Sequence, residues 1–239
     1  MDRILFAILS LTLFTACSSH EKNLTTDIGT MEEGKRLMDD EFYEEARNQF
    51  TRIKTEFPQS PLQLDADLKI AETYFKEEAY TSAASSYEEF IRMHPGRPEI
   101  PYALFQLGLS YFNQMPDTPQ RDTRPTTKVI DVFTRLLVDY PQSDYIKDAH
   151  KYIETARNQL AEKTFEIGRF YERMGEYAPC ARRFGEMQSQ FPDNKLAEEA
   201  FARQISCLRR TDQKEEAERL ATKFQEQFPK SEFMSMIKP

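Results

Sequence analysis

The chain has 239 residues, of which 30 % are charged, and its formal net charge is −8. This acidic balance argues against nucleic acid as a partner, because a nucleic-acid surface requires clustered positive charge. Seven glycines are scattered along the chain without a glycine-rich phosphate loop, which argues against a nucleotide-binding enzyme.

The chain begins with an apolar segment, from Ile4 to Ala16, that is too short to span a bilayer. Polar residues follow it at once, which predicts a secretory signal peptide over residues 1–16. The segment ends in LFTAC, which resembles the lipobox of bacterial lipoproteins. That resemblance implies cleavage before Cys17 and a covalent lipid on its thiol, with no other cofactor. Because Ser18 follows instead of Asp, the resemblance also implies the outer membrane. The alternative is an ordinary signal peptide with an incidental cysteine.

Residues 17–27 are polar and predict a tether between the lipid and a folded body. After them the sequence repeats. Each unit has a small residue, a large one three later, a small residue nine further on, an aromatic four after that, and a proline eight later. The units are Gly34, Leu37, Ala46, Phe50 and Pro58; Ala71, Tyr74, Ala83, Tyr87 and Pro95; Gly108, Tyr111, Val129, Phe133 and Pro141, with nine residues inserted; Gly168, Tyr171, Cys180, Phe184 and Pro192; and, more weakly, Ile205, Leu208, Ala217, Ala221 and Pro229.

This spacing resembles the tetratricopeptide repeat, a helix–turn–helix unit of about 34 residues. Small residues let paired helices approach, the aromatics fill the space between them, and proline ends the second helix. No alternating apolar pattern predicts strands. The sequence therefore predicts an all-α superhelical solenoid of five repeats, divided into residues 28–141, with repeats one to three, and residues 142–239, with repeats four and five.

The third repeat contains an irregular segment, residues 113–125, with three prolines. Two interpretations stay open: a tolerated solvent loop, since long insertions cost little closure entropy, or a partner-binding loop.

A long helix is predicted between the third and fourth repeats. Residues 144–174 contain no proline, and their apolar residues recur at steps of three and four. Such a helix would be about 45 Å long. Its second half begins repeat four, so its first half is an addition that joins the two halves of the array.

Two cysteines remain beside Cys17. Cys180 and Cys207 fall on helices that are neighbours in a stacked array. An oxidising periplasm permits a disulfide, but we favour two free buried thiols, because position 180 is a small-residue packing position.

Catalytic and metal-binding patterns are absent from the sequence. His20, His94 and His150 share no metal-ligand spacing, and the acidic residues fall on polar helix faces. The sequence thus predicts a protein that is not an enzyme and holds no metal.

Three stretches, residues 90–112, 136–153 and 156–184, resemble the BamD family of outer-membrane β-barrel assembly lipoproteins. The resemblance implies a lipid-anchored scaffold on the periplasmic face of the outer membrane. It implies that the carboxyl-terminal repeats bind the periplasmic domains of a BamA-like barrel component, that other assembly lipoproteins join, and that the amino-terminal repeats receive unfolded outer-membrane proteins.

Individual residues also carry the resemblance. Arg182 and Arg183, placed at the start of the second helix of repeat four, match the family region coupled to the barrel component, and the resemblance implies a partner-binding role for them. Arg121-Asp122 in the insertion resembles a family pair, although this insertion is shorter than the family's.

A groove is predicted along the first helices of repeats one to three, which line the concave face in tetratricopeptide arrays. An apolar stripe beside the packing stripe is formed by Met31, Met38, Leu68, Phe75, Tyr102, Phe105, Leu109 and Phe112. These residues are either buried against neighbouring helices or exposed in a cleft for an extended, aromatic-bearing segment. A second function also fits the repeats: a different tetratricopeptide lipoprotein, serving cell-wall division or pilus secretin assembly.

Overall fold

The computed structural model describes residues 24–118 and 122–238. The predictions on the signal peptide, Cys17 and Arg121 lie outside these residues. The described part contains ten α-helices, no strand, and a final 3-10 helix, Glu232–Ile237. The α-helices are α1 (Asp27–Asp39), α2 (Tyr43–Glu56), α3 (Gln63–Lys76), α4 (Tyr80–Met93), α5 (Ile100–Phe112), α6 (Arg124–Asp139), α7 (Ile146–Met174), α8 (Tyr177–Gln190), α9 (Ala197–Leu208) and α10 (Lys214–Gln227). The predicted all-α class is confirmed.

The first helix begins earlier than predicted. The Thr26 hydroxyl accepts a hydrogen bond from the Gly29 amide at 3.1 Å and caps α1, so Asp27 is helical instead of belonging to the tether. A side-chain oxygen in this position satisfies an amide that has no partner inside the helix.

Helices next to each other in sequence pack together, and the repeat landmarks lie where they meet. A Cβ atom added to Gly168 would lie 2.7 Å from the Phe184 ring, so only glycine lets α7 approach α8 this closely. Gly34 and Gly108 stand in the same relation to the aromatic residues of their own repeats. In the last repeat the sizes are reversed: Ile205 takes the small position and Ala221 the aromatic one, and both are buried.

The five proline signals mark helix ends as predicted. Each of α2, α4, α6, α8 and α10 ends two residues before a proline, and the residue between leaves the helical conformation. A proline ring disfavours the helical conformation of the residue before it. The capping residues are Phe57, His94, Tyr140, Phe191 and Phe228.

One long helix joins two hydrophobic cores. The first half of α7 contributes Ala149 and Ala156 to the core around α3–α6, and its second half contributes Ala161 and Phe165 to the core around α8–α10. The helix has 29 residues and ends at Met174; the next residue, Gly175, caps it with a left-handed φ of 75°. This backbone conformation favours glycine and satisfies the last carbonyls of the helix.

The insertion connects α5 to α6 and contacts α7. Gln159 on α7 donates to the Pro116 carbonyl at 2.6 Å and accepts from the Thr126 hydroxyl at 2.7 Å. The predicted irregular segment extends too far at its end, because Pro125 lies in the first turn of α6. Proline is well suited to that turn, where its missing N–H would have no helical partner.

The prediction of two free thiols is wrong. Cys180 on α8 and Cys207 on α9 form a disulfide, with Cα atoms 6.1 Å apart. Both residues are fully buried, because the small-residue position on α8 faces the packed side of α9. The pairing thus covalently links the fourth helix pair to the fifth.

Candidate partner-binding surfaces

The two arginines carried over from the family resemblance lie in the middle of α8, not at its start. Arg182 is exposed and forms no hydrogen bond or ion pair within the described part of the chain. The side chain of Arg183 is 35 % exposed and pairs with Glu186, one turn further along, at 2.7 Å. Its Nε atom is buried without a hydrogen-bond partner among the described residues. Position 183 therefore combines an accessible cation with an unsatisfied donor.

The apolar stripe predicted to line a groove divides into two classes. Met31, Met38 and Leu68 are buried and belong to the hydrophobic cores. Their side chains face neighbouring helices, because α1 packs on α2 and α3 lies between α2 and α4. Met38 and Leu68 therefore do not line an open cleft, which corrects that part of the prediction.

Phe105 and Phe112 are half-buried against α7. Phe105 stacks on Tyr145 with ring centroids 4.7 Å apart, and Phe112 meets the edge of Tyr152, also at 4.7 Å. Tyr152 stacks in turn on the buried Phe133 of α6 at 5.4 Å. Aromatic pairs at these distances stabilise packing beyond the area that they bury. The rings therefore fasten the first half of α7 to α5 and α6, with only part of their surface left exposed.

The remaining groove residues are half-buried too. Phe75 contacts a residue close to it in sequence: its ring meets the Tyr80 ring edge-on, with centroids 5.5 Å apart. Tyr102 donates to Glu72 on α3 at 3.1 Å, so α3 and α5 are joined by a polar contact. Burial and the nearby Glu72 carboxylate raise the pKa of Tyr102 above its ordinary value. Leu109 packs against the same core and is partly exposed.

Two exposed apolar side chains on α7 were not identified as a surface from the sequence. Phe170 is 50 % exposed and Met174 is 64 % exposed. Phe170 lies within residues 144–174, whose apolar pattern predicted the long helix. Their positions on the helix could have indicated this surface. Phe170 and Met174 lie on a different side of α7 from the landmark Gly168, which faces α8.

Residues 24–118 and 122–238 contain neither a candidate metal site nor a candidate membrane-spanning helix. No group of three or more His, Cys, Asp or Glu side chains is arranged to hold a metal ion. In the same ranges, no helix is long and apolar enough to cross a membrane.

Comparisons with known proteins give one family and several distant relatives. The sequence profile of YfiO, described as outer membrane lipoprotein, matches residues 26–223. The chain is 26 % identical over 239 residues to outer membrane protein assembly factor BamD of Rickettsia prowazekii, covering 98 % of this chain and 95 % of the relative. It is 25 % identical over 202 residues to the factor of the same name from Neisseria gonorrhoeae, covering 81 % of this chain and 76 % of the relative.

Solved structures resemble the chain only loosely. The TPR2AB domain of yeast Sti1 in its pHSP90 complex covers 90 % of this chain and 82 % of its own, with a TM-score of 0.45 and 15 % identity.

Proposed function

Because the chain belongs to the YfiO family of outer membrane lipoproteins, we propose that it is a scaffold of outer-membrane β-barrel protein assembly. The observation that carries the proposal is the match of the family over residues 26–223. Relatives named outer membrane protein assembly factor BamD extend the similarity over as much as 98 % of the chain. The protein acts through binding surfaces, without catalysis and without a cofactor other than its lipid.

The lipid anchor is proposed at Cys17, the cysteine beside the signal cleavage site. It places the body on the periplasmic face of the outer membrane. One acyl chain binds a membrane only marginally, whereas two or three chains anchor a protein stably. Two or more acyl chains at Cys17 are therefore expected to hold the chain at the membrane.

The barrel component docks on the carboxyl-terminal repeats through Arg182 and Arg183. The exposure of Arg182, and the accessible part of Arg183, support this assignment. Glu186 already pairs with Arg183, so an incoming carboxylate must either join that pair or replace it. A BamA-like partner with an acidic group at this position would complete the arrangement.

Unfolded outer-membrane proteins are received by the amino-terminal repeats. The exposed parts of Phe75, Tyr102, Phe105, Leu109 and Phe112 form the proposed contact surface. Because these side chains are also packed on their inner sides, they would contact a ligand with a rigid, pre-positioned edge. Such pre-organisation lowers the entropy lost on binding.

The deciding experiment is co-purification of the complex from solubilised outer membranes with an affinity-tagged full chain. We expect a barrel component with periplasmic repeat domains, together with other assembly lipoproteins. Recovery of a secretin or of cell-wall synthases in its place would contradict the proposal and favour the alternative adapter function.

A further inference from the structure

After α10 the chain turns back and lies along α9. Residues 228–238, named the lid segment from here on, contain the 3-10 helix Glu232–Ile237, whose start is capped by the Ser231 hydroxyl. This short helix packs on α9, which also contacts α8 and α10. The lid segment therefore covers a side of α9 that neither of those two helices covers.

Both ends of the lid segment are placed by contacts with the last helix pair. At its beginning, Phe228 packs against Phe224 of α10 with ring centroids 5.2 Å apart, and Phe224 meets the Phe201 ring near the start of α9 at 5.4 Å. At the other end, Arg209, the residue that caps α9, donates a hydrogen bond to the Ile237 carbonyl. The segment thus extends along most of α9, which is about 18 Å long.

The inner side of the lid segment is apolar. Ile237 is only 1 % exposed, and Phe233, Met234 and Met236 pack, partly buried, against the core around α8–α10. The exposed residues between and beside them are Glu232, Ser235 and Lys238. Methionine has three rotatable bonds and adapts to irregular surfaces. The surface beneath the segment is therefore suited to other sequences with the same apolar pattern.

One arginine supplies the polar attachment of the lid segment. Within the described part of the chain, the bond from Arg209 to the Ile237 carbonyl is the one hydrogen bond that joins residues 232–238 to the α-helices. The Arg209 side chain is 17 % exposed and also donates to both carboxylate oxygens of Glu218 on α10, at 3.0 and 3.1 Å. Arg209 therefore connects α9, α10 and the lid segment.

The lid segment is less firmly held than the helices around it. A 3-10 helix has poorer hydrogen-bond geometry than an α-helix and rarely exceeds four residues, whereas this one has six. Segments with few buried apolar contacts and few hydrogen bonds to the body open at a low free-energy cost. The lid segment is therefore able to detach while the α-helices stay folded.

We propose that the lid segment is held shut by Arg209, and that its opening uncovers an apolar docking groove on α9. The groove accepts a partner segment with apolar residues at positions i, i+1, i+3 and i+4, since that pattern of the lid segment fills it in the closed state. Partner binding and lid closure then exclude each other. This device is independent of Arg183 and of the groove of the amino-terminal repeats.

Competition between lid and partner makes a quantitative difference to binding. When only a fraction of molecules has an open groove, the apparent affinity for a ligand is reduced by that fraction. A variant whose lid stays open should therefore bind a matching segment more tightly than the unmodified chain does.

The test is a titration of the purified full chain with a fluorescently labelled synthetic peptide of residues 228–238, followed by anisotropy. Ile237→Asp places a charge at the buried position, so we expect the peptide to bind this variant at least ten-fold more tightly than the unmodified chain. Ser235→Asp is the matched control, because it adds the same charge at an exposed position of the same segment. It should leave peptide binding unchanged.

Two further changes examine the groove itself. Arg209→Ala, added to Ile237→Asp, removes the donor that the peptide carbonyl would use, so it should weaken peptide binding ten-fold or more. A peptide with aspartate in place of its isoleucine should not bind. Helical circular dichroism and urea unfolding check the fold of each variant. If Ile237→Asp unfolds, Met234→Ser with Met236→Ser opens the lid through partly buried side chains and carries the same expectation.

Several results would overturn the proposal. They are equal binding of the peptide to lid-open and unmodified chains, no binding to folded lid-open variants, and an equal gain in affinity from Ser235→Asp. Sedimentation velocity adds another: a lid-open variant that dimerises, and that the peptide does not dissociate, would show that a second copy covers α9. Recovery of the membrane complex is measured separately, so failure of the peptide test leaves the assembly function standing.

Discussion

Gly168 shows how one missing side-chain atom sets the distance between two helices. In Gly168→Ala the new Cβ would lie 2.7 Å from the buried Phe184 ring, which cannot move freely. Overpacking of this kind costs about 1–3 kcal/mol. We expect urea unfolding to show that loss. Gly185→Ala is the matched control, because its Cβ would meet only the end of the Gln204 side chain. Equal stability of the two variants would contradict the packing argument.

Arg183 supports a second prediction at the scale of single residues. An interfacial charge pair broken on one side commonly costs about 2–5 kcal/mol. Arg183→Glu should therefore lower recovery of the barrel component while leaving the helical circular-dichroism signal intact. Glu186→Gln removes the intrahelical partner but keeps the cation, so recovery should persist. Undiminished recovery with Arg183→Glu would exclude this residue from the interface.

At the scale of elements, the aromatic contacts between α5 and α7 decide the position of the long helix. Phe105 contacts three rings, of Phe133, Tyr145 and Tyr152. Truncating a well-packed phenylalanine to alanine costs about 3–5 kcal/mol. We expect Phe105→Ala to approach that range in thermal unfolding, and Phe112→Ala, with one ring contact, to fall below it. Phe170→Ala, at a half-exposed position, should change stability by less than about 0.5 kcal/mol.

The same variants test the groove when titrated with a synthetic carboxyl-terminal barrel-strand peptide. If the exposed edges bind ligand, affinity per folded molecule should fall about ten-fold for Phe105→Ala. Strong destabilisation with unchanged affinity would leave the rings a purely structural role.

The disulfide gives a further prediction for elements. A cross-link that closes 27 residues stabilises the folded chain by about 3.5 kcal/mol in the chain-entropy model. The double variant Cys180→Ala and Cys207→Ala should lose about 2–4 kcal/mol in denaturant unfolding. Adding a reductant should destabilise the unmodified chain and leave the double variant unchanged. Equal stability of the two chains without reductant would mean that the cross-link contributes nothing.

Much of this fold was predictable because its repeats combine several independent signals. The helix-ending prolines and the glycine–aromatic pairs each fix a local geometry, so they agree with the structure. Met38 and Leu68 were misplaced because a helical stripe defines a face but not the neighbour that covers it. The thiol prediction failed for a similar reason: the position of Cys180 was right, but its distance to Cys207 depends on how α8 packs on α9.

At the scale of the whole molecule, the lipid should determine where the protein resides. Cys17→Ser removes the thiol proposed to accept the lipid, so we expect the protein to leave the membrane fraction or to keep the predicted signal peptide. Fractionation followed by immunoblotting distinguishes these outcomes from normal anchoring. A processed Cys17→Ser protein that still fractionates with the outer membrane would disprove the lipoprotein assignment.

The bond between Cys180 and Cys207 also bears on the order of events during export. Thiols stay reduced in the cytosol, and the bond forms only in an oxidising compartment. On the export route proposed above, the precursor therefore lacks the link between α8 and α9 until it reaches an oxidising compartment. The carboxyl-terminal repeats would then gain the stability that the cross-link contributes only after translocation, when premature folding no longer obstructs passage.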